Sequence, residues 1–126
     1  MRTIERHRKG DLLNKTLELK VLDEPGPGGA CGEYRISYPV LVADDEAMPM
    51  DTLLKFQSGN PAVEINGISN EALLAVVEDR LSGFAQGPFA DQHTIEALRF
   101  VTRALKALEI RTLDRIARGV EGQQKQ

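Results

Sequence analysis

The sequence predicts an α+β protein: a small N-terminal antiparallel β-sheet domain followed by a long C-terminal α-helical hairpin, assembled as a homo-oligomer. Three observations carry this. Apolar and polar residues alternate in short runs between residues 16 and 65, and the spacing changes to threes and fours after residue 66. Glycine and proline punctuate the first two thirds of the chain, yet neither occurs between Phe89 and Arg118. The 126 residues are 41% apolar and only 5% aromatic with no Trp, a composition that builds a thin core and leaves apolar surface for a second subunit. The expected organisation is a β domain over 1–65, a helical hairpin over 66–120 and a polar, flexible tail over 121–126.

Leu17, Leu19 and Val21 alternate in TLELKVL, as do Tyr34, Ile36 and Tyr38 in EYRISY, and the runs TLLKF and AVEI continue the pattern. Each reads as a strand. Between them DEPGPGGACG, DDEAMPMD and QSGNP supply turn residues that interrupt pairing. A sheet of so few short strands needs a cover on its apolar face.

The helical pattern starts after Asn66-Gly67, where Ser69 or Asn70 can cap a helix and Glu71 favours the positive end of its dipole. Leu73, Leu74, Val76, Val77 and Leu81 give that helix a broad apolar face over about 70–82, and Gly83 is expected to supply a left-handed stop. After the connector GFAQGPF, Asp91 is the expected cap of a second helix running to the neighbourhood of Gly119, about 28 residues or roughly 42 Å. Leu98, Val101, Leu105 and Leu108 form its packing seam. The first helix is too short to cover the second half, so Ile110, Leu113 and Ile116 are expected to pack on the sheet or on another chain.

Charge is unevenly distributed. Residues 1–20 hold six Lys/Arg against three Asp/Glu, residues 94–126 hold seven against four, and the middle holds three against twelve. Such a middle repels the phosphates of a long duplex, so no long nucleic acid is expected as partner; a small anionic ligand needs only a few cations. No apolar run reaches the roughly 18 residues of a membrane span, and the N-terminus lacks the apolar stretch of a secretory signal, so a soluble, cytosolic protein is expected. Cys31 is the only cysteine, which excludes an internal disulfide and a cysteine metal cluster within one chain.

Enzyme signals are weak. DEPGPGGACG matches neither GxGxxG nor GxxxxGK[ST] and reads as a structural loop. A catalytic Cys31 would want a neighbouring His, and neither His7 nor His93 is tied to it, so an inert thiol is expected. Asp44, Asp45 and Glu46 lack the alternating spacing of a calcium loop and read as a solvated turn. No catalytic residue, metal or cofactor is assigned.

Arg111, Arg115 and Arg118 are spaced by four and three, which puts three guanidinium groups on one helical face. Arginine donates paired hydrogen bonds to phosphate and stays charged at any working pH. The competing reading is that these cations merely complement the helix dipole, with Asp114 neutralising part of the row. Phe84 and Phe89 bracket the hairpin connector; they either stack on a base, a contact worth roughly 1–3 kcal/mol in single-strand binders, or seal the end of the hairpin. The aromatic and cationic groups lie at opposite ends of the second helix, roughly 40 Å apart, and can meet only across a subunit boundary. Antiparallel association of two long helices brings them together.

The run NGISNEALLAVVEDRLSGFAQGPF, with the later RTLDRIARGVEG, resembles the helical-hairpin segment of the phage Thoeris anti-defence family of the first type, related in that hairpin to an anti-CBASS cyclic-nucleotide sponge. The N-terminal stretch HRKGDLLNKTLELKVLDEPGPGGACGEY is similar to the β part of that family, so the resemblance spans nearly the whole chain. It implies a non-enzymatic dimer or hexamer in the cytoplasm of an infected bacterial host. Such an oligomer sequesters, without cleaving, a cyclic ADP-ribose isomer made by TIR-domain immune proteins, and some relatives also hold cyclic di- or trinucleotides.

Carried over by motif, RTLDR places Arg111 and Arg115 on phosphate or ribose, and GFAQGP places Phe84 as the stacking ring. After GPF, relatives commonly read Cys-Arg-Glu-Asn where this chain has Asp91-Gln92-His93-Thr94. Thr94 replaces a two-way amide with a single hydroxyl at that contact, which bears on ligand identity. The alternatives are an enzyme degrading the same signal, and a phage structural or regulatory protein binding a host protein.

Overall fold

A computed structural model describes residues 1–41 and 47–119. The expectations for Asp44, Asp45 and Glu46 and for the tail 121–126 lie outside these residues. The architecture is α+β, with a four-stranded N-terminal sheet and two packed C-terminal helices. The chain divides into two compact units, Met1–Ser58 with Ile65–Gly67, and Gly59–Glu64 with Ile68–Gln126.

In the first unit, β1 (Arg2–Ile4), β2 (Glu18–Val21), β3 (Glu33–Leu41) and β4 (Ala47–Lys55) form an antiparallel meander in sequence order. A five-residue helix, α1 (Leu12–Thr16), lies between β1 and β2 and is capped by the Asp11 carboxylate, which accepts from the Asn14 N–H at 3.0 Å. Register places Leu19 opposite Ile36 and Val21 opposite Tyr34 on one face, where Tyr34 meets Phe56 edge to face at 5.7 Å. Val21 is 1% exposed and anchors this core.

The strand pattern is corrected in three places. β1 was not expected; its three residues are fixed by pairing with β2, from Arg2 opposite Val21 to Ile4 opposite Leu19. β4 begins at Ala47 and includes Met48–Met50, which the loop reading of DDEAMPMD excluded, because Pro49 lies on an edge strand where its missing N–H breaks no interior ladder. AVEI is a turn instead of a strand: Asn60 accepts from the Ala62 N–H through its side chain at 2.9 Å and from Val63 through its carbonyl at 3.0 Å.

DEPGPGGACG is the loop the sequence indicated, and Asp23 closes it. The carboxylate of Asp23 accepts from the Gly32 N–H at 2.9 Å and the Glu33 N–H at 3.1 Å, while the Gly26 N–H donates to the Ala30 carbonyl at 2.9 Å. The Gly32 N–H first, then Glu33, holds the Asp23 carboxyl below its ordinary value against the opposing effect of desolvation. A depressed folded-state value means the carboxylate's contribution is present above the unfolded pKa of about 3.9 and is lost as pH falls through the folded value. Asp23→Asn is therefore expected to lower stability near neutrality and to narrow its gap to wild type as pH falls through that range. Urea melts at a series of pH values check this, and a gap that widens in acid contradicts it.

In the second unit, α2 (Asn70–Gln86) and α3 (Gln92–Ala117) pack antiparallel. Ser69 caps α2 by accepting from the Ala72 N–H, and Asp91 caps α3 by accepting from the Thr94 N–H at 2.8 Å. The expected stop at Gly83 is corrected. α2 runs four residues further than about 82 and ends at Gly87, whose φ of −95° is not left-handed, because a glycine inside a packed helix costs only about 1 kcal/mol. α3 ends two residues before Gly119, whose φ of +69° provides the left-handed exit. Leu105 is the buried centre of the seam, with Leu98, Val101 and Leu108 half-buried beside it. Thr102 donates to Glu78 at 2.8 Å and Thr112 to Glu71 at 3.3 Å, which pins the helix register at two levels.

Candidate functional site

The cationic row sits in the last turns of α3. Arg111 is exposed, Arg115 is half-buried, and Arg118, at the helix C-cap, pairs with Asp114 at 3.3 Å. The neutralising role foreseen for Asp114 falls on Arg118, through an exposed i,i+4 pair of the kind worth at most a few tenths of a kcal/mol. Ile110, Leu113 and Ile116, interleaved with the arginines, are 67%, 65% and 51% exposed, so α2 does not cover them.

The aromatic groups sit at the opposite end of the hairpin. Phe84 lies on the last turn of α2 and is 53% exposed; Phe89 lies in the connector and is 88% exposed. Neither ring seals the hairpin end. The Arg80 guanidinium lies over the Phe84 ring, 5.5 Å from its centroid, in a cation–π contact. The sequence does not single out Arg80, because its i,i+4 relation to Phe84 exists only once α2 continues past Gly83.

Thr94 lies in the first turn of α3, where both its N–H and its hydroxyl are directed to Asp91. The Thr94 N–H first, with smaller contributions from the Thr94 hydroxyl and from His93, holds the Asp91 carboxyl below its ordinary value. Thr94 thus serves the helix cap, and its hydroxyl reaches a ligand only by sharing or leaving Asp91. His93 is exposed beside it.

Within one chain the structure brings Phe84 together with Arg80, and Arg111 together with Arg115 and Arg118, but leaves the first group where α2 leads into α3 and the second at the far end of α3. Its 26 residues span about 39 Å at 1.5 Å each. A shallow open groove between the helices is lined by Ala75, Glu78, Asp79, Ser82, Leu98 and Thr102. Its two carboxylates repel an anionic ligand, and Glu78 is already engaged by Thr102.

Among the described residues no three His, Cys, Asp or Glu side chains gather in a way that could hold a metal ion, and no helix is long and apolar enough to cross a membrane. Cys31 is a half-buried free thiol. No family model matches the chain, and no curated protein matches it.

Proposed function

We propose that this protein binds and sequesters a cyclic nucleotide signal without cleaving it, in pockets shared between copies of the chain. The observation that carries this reading is the separation of two candidate half-sites along one hairpin. A stacking ring with an adjacent cation, Phe84 with Arg80, occupies one end; a guanidinium row, Arg111, Arg115 and Arg118, occupies the other. An aromatic plane for a base and arginine forks for phosphate are the two recognition elements a compact nucleotide needs. Two antiparallel copies supply both within one pocket, and the uncovered Ile110, Leu113 and Ile116 fit a chain that does not act alone.

The ligand class follows from the resemblance to the phage Thoeris anti-defence family: a cyclic ADP-ribose isomer produced by TIR-domain proteins, with cyclic di- and trinucleotides as further candidates. The mechanism is mass action. Sequestration starves the immune effector when the dissociation constant lies below the concentration that triggers it, and each 1.4 kcal/mol of pocket energy changes that constant about tenfold. A calorimetric screen of cyclic ADP-ribose isomers and cyclic oligonucleotides against the purified protein tests the reading. Saturable submicromolar binding of at least one is the expected result; no binding by any of them removes it.

A further inference from the structure

We propose that Arg80 and Gly83 prepare Phe84 to take a nucleobase: Arg80 positions the ring by covering one of its faces, and Gly83 leaves the helix surface beside the pair bare. This deepens the proposed function and rests on it for the identity of the ligand, while the platform itself rests on α2. Glu78 accepts from Thr102 of α3, and Arg80 follows Glu78 by two residues, about 200° further round the helix. Arg80, Gly83 and Phe84 are all exposed, on the side of α2 away from α3. The positions three and four residues from Arg80 are Val76, Val77, Gly83 and Phe84, so no carboxylate at helical contact spacing competes for its guanidinium. That group lies over the Phe84 ring, 5.5 Å from its centroid. A planar cation held against the negative face of the ring restrains the Phe84 side chain and leaves the other face for a second aromatic plane. Ordering the ring before a ligand arrives removes part of the entropy that stacking would otherwise cost. With one face covered the ring is still 53% exposed, so the remaining face is open to solvent.

Gly83 supplies an independent observation. It lies inside α2, where glycine is one of the least favourable residues, yet nothing lies within 4 Å of the place its β-carbon would take. Its φ is not positive either. Neither packing nor backbone conformation therefore calls for glycine at this position. What the missing side chain provides is close access to the helix backbone beside Arg80 and Phe84, which is the use of glycine where a ligand must approach the chain closely. Of the parts of a nucleotide only the base is a flat aromatic plane, so the base is the group this surface takes.

The experiment follows the phenylalanine rings of the full chain by NMR during titration with AMP, with ribose 5-phosphate as the base-free control and Phe84→Leu to identify the Phe84 signals. AMP should move those signals upfield and saturably, and ribose 5-phosphate should not. Arg80→Ala should weaken the AMP response about two- to fivefold, and Arg80→Lys, which keeps the cation, should recover part of it. Gly83→Ala should raise the melting temperature, while Gly83→Leu, still helical by circular dichroism, should lose most of the AMP-induced shift. A Phe84 ring that responds equally in wild type, Arg80→Ala and Gly83→Leu, or does not respond at all, overturns the platform. A lowered melting temperature for Gly83→Ala would return that glycine to the fold and overturn its part. Calorimetry with the cyclic ADP-ribose isomers keeps the two readings separable. Cyclic nucleotide bound equally by wild type and both variants removes only this inference, while AMP stacking on Phe84 without binding of any cyclic nucleotide removes only the sponge.

Discussion

Arg115→Ala is expected to weaken binding of the cyclic nucleotide ten- to a hundredfold while leaving the oligomer intact. A hydrogen bond between charged groups contributes about 1.5–3 kcal/mol, and about 1.4 kcal/mol corresponds to a factor of ten. Arg115 is the half-buried member of its row, whereas Arg111 and Arg118 are exposed. Its guanidinium is thus the least hydrated of the three and the one whose charge acts most strongly on a bound phosphate. Arg115→Lys should recover only part of the loss, because an ammonium keeps the charge but not the planar fork. Calorimetry with native mass spectrometry checks both points. Unchanged affinity in an intact oligomer would take the row out of the pocket.

Gly67→Ala is expected to destabilise the N-terminal unit by about 3 kcal/mol or more, lowering its melting temperature by roughly 12–24 °C. A β-carbon at Gly67 would lie 2.6 Å from both the Gln57 nitrogen and the Lys55 carbonyl oxygen, and against the carbonyl carbon of Phe56. All three are backbone atoms and cannot rotate aside. The adjacent Asn66 fixes this approach by donating to the Ser58 carbonyl and accepting from the Ser58 N–H, both at 2.8 Å. Gly28→Ala is the control, since nothing lies within 4 Å of its β-carbon position, and should change stability by less than about 0.5 kcal/mol. Thermal melts of the two variants should separate clearly; equal melting temperatures would contradict the close packing at Gly67.

The elements legible in the sequence were those specified by local chemistry. Ser69 and Asp91 cap helices because a short oxygen-bearing side chain satisfies the same N–H wherever it occurs, and the alternation through Val21 and Tyr34 needs only neighbouring residues to be read. What escaped was set by distant partners. β1 exists through its pairing with β2, α2 continues through Gly83 because α3 packs along it, and Pro49 is admitted to β4 because that strand forms the sheet edge. At the candidate site the arginine spacing was legible, since helix geometry alone places the row. Phe84 was legible as a ring near the connector, but its pairing with Arg80 requires both residues to share one helix, and that helix was expected to end before Phe84.

The most direct measurement is native mass spectrometry of the protein incubated with a cyclic ADP-ribose isomer, followed by heat denaturation and analysis of the released small molecule. The proposed function predicts an oligomer carrying whole ligand masses and recovery of the nucleotide unchanged. A monomer without added mass, or a ligand returned as hydrolysis products, would contradict it.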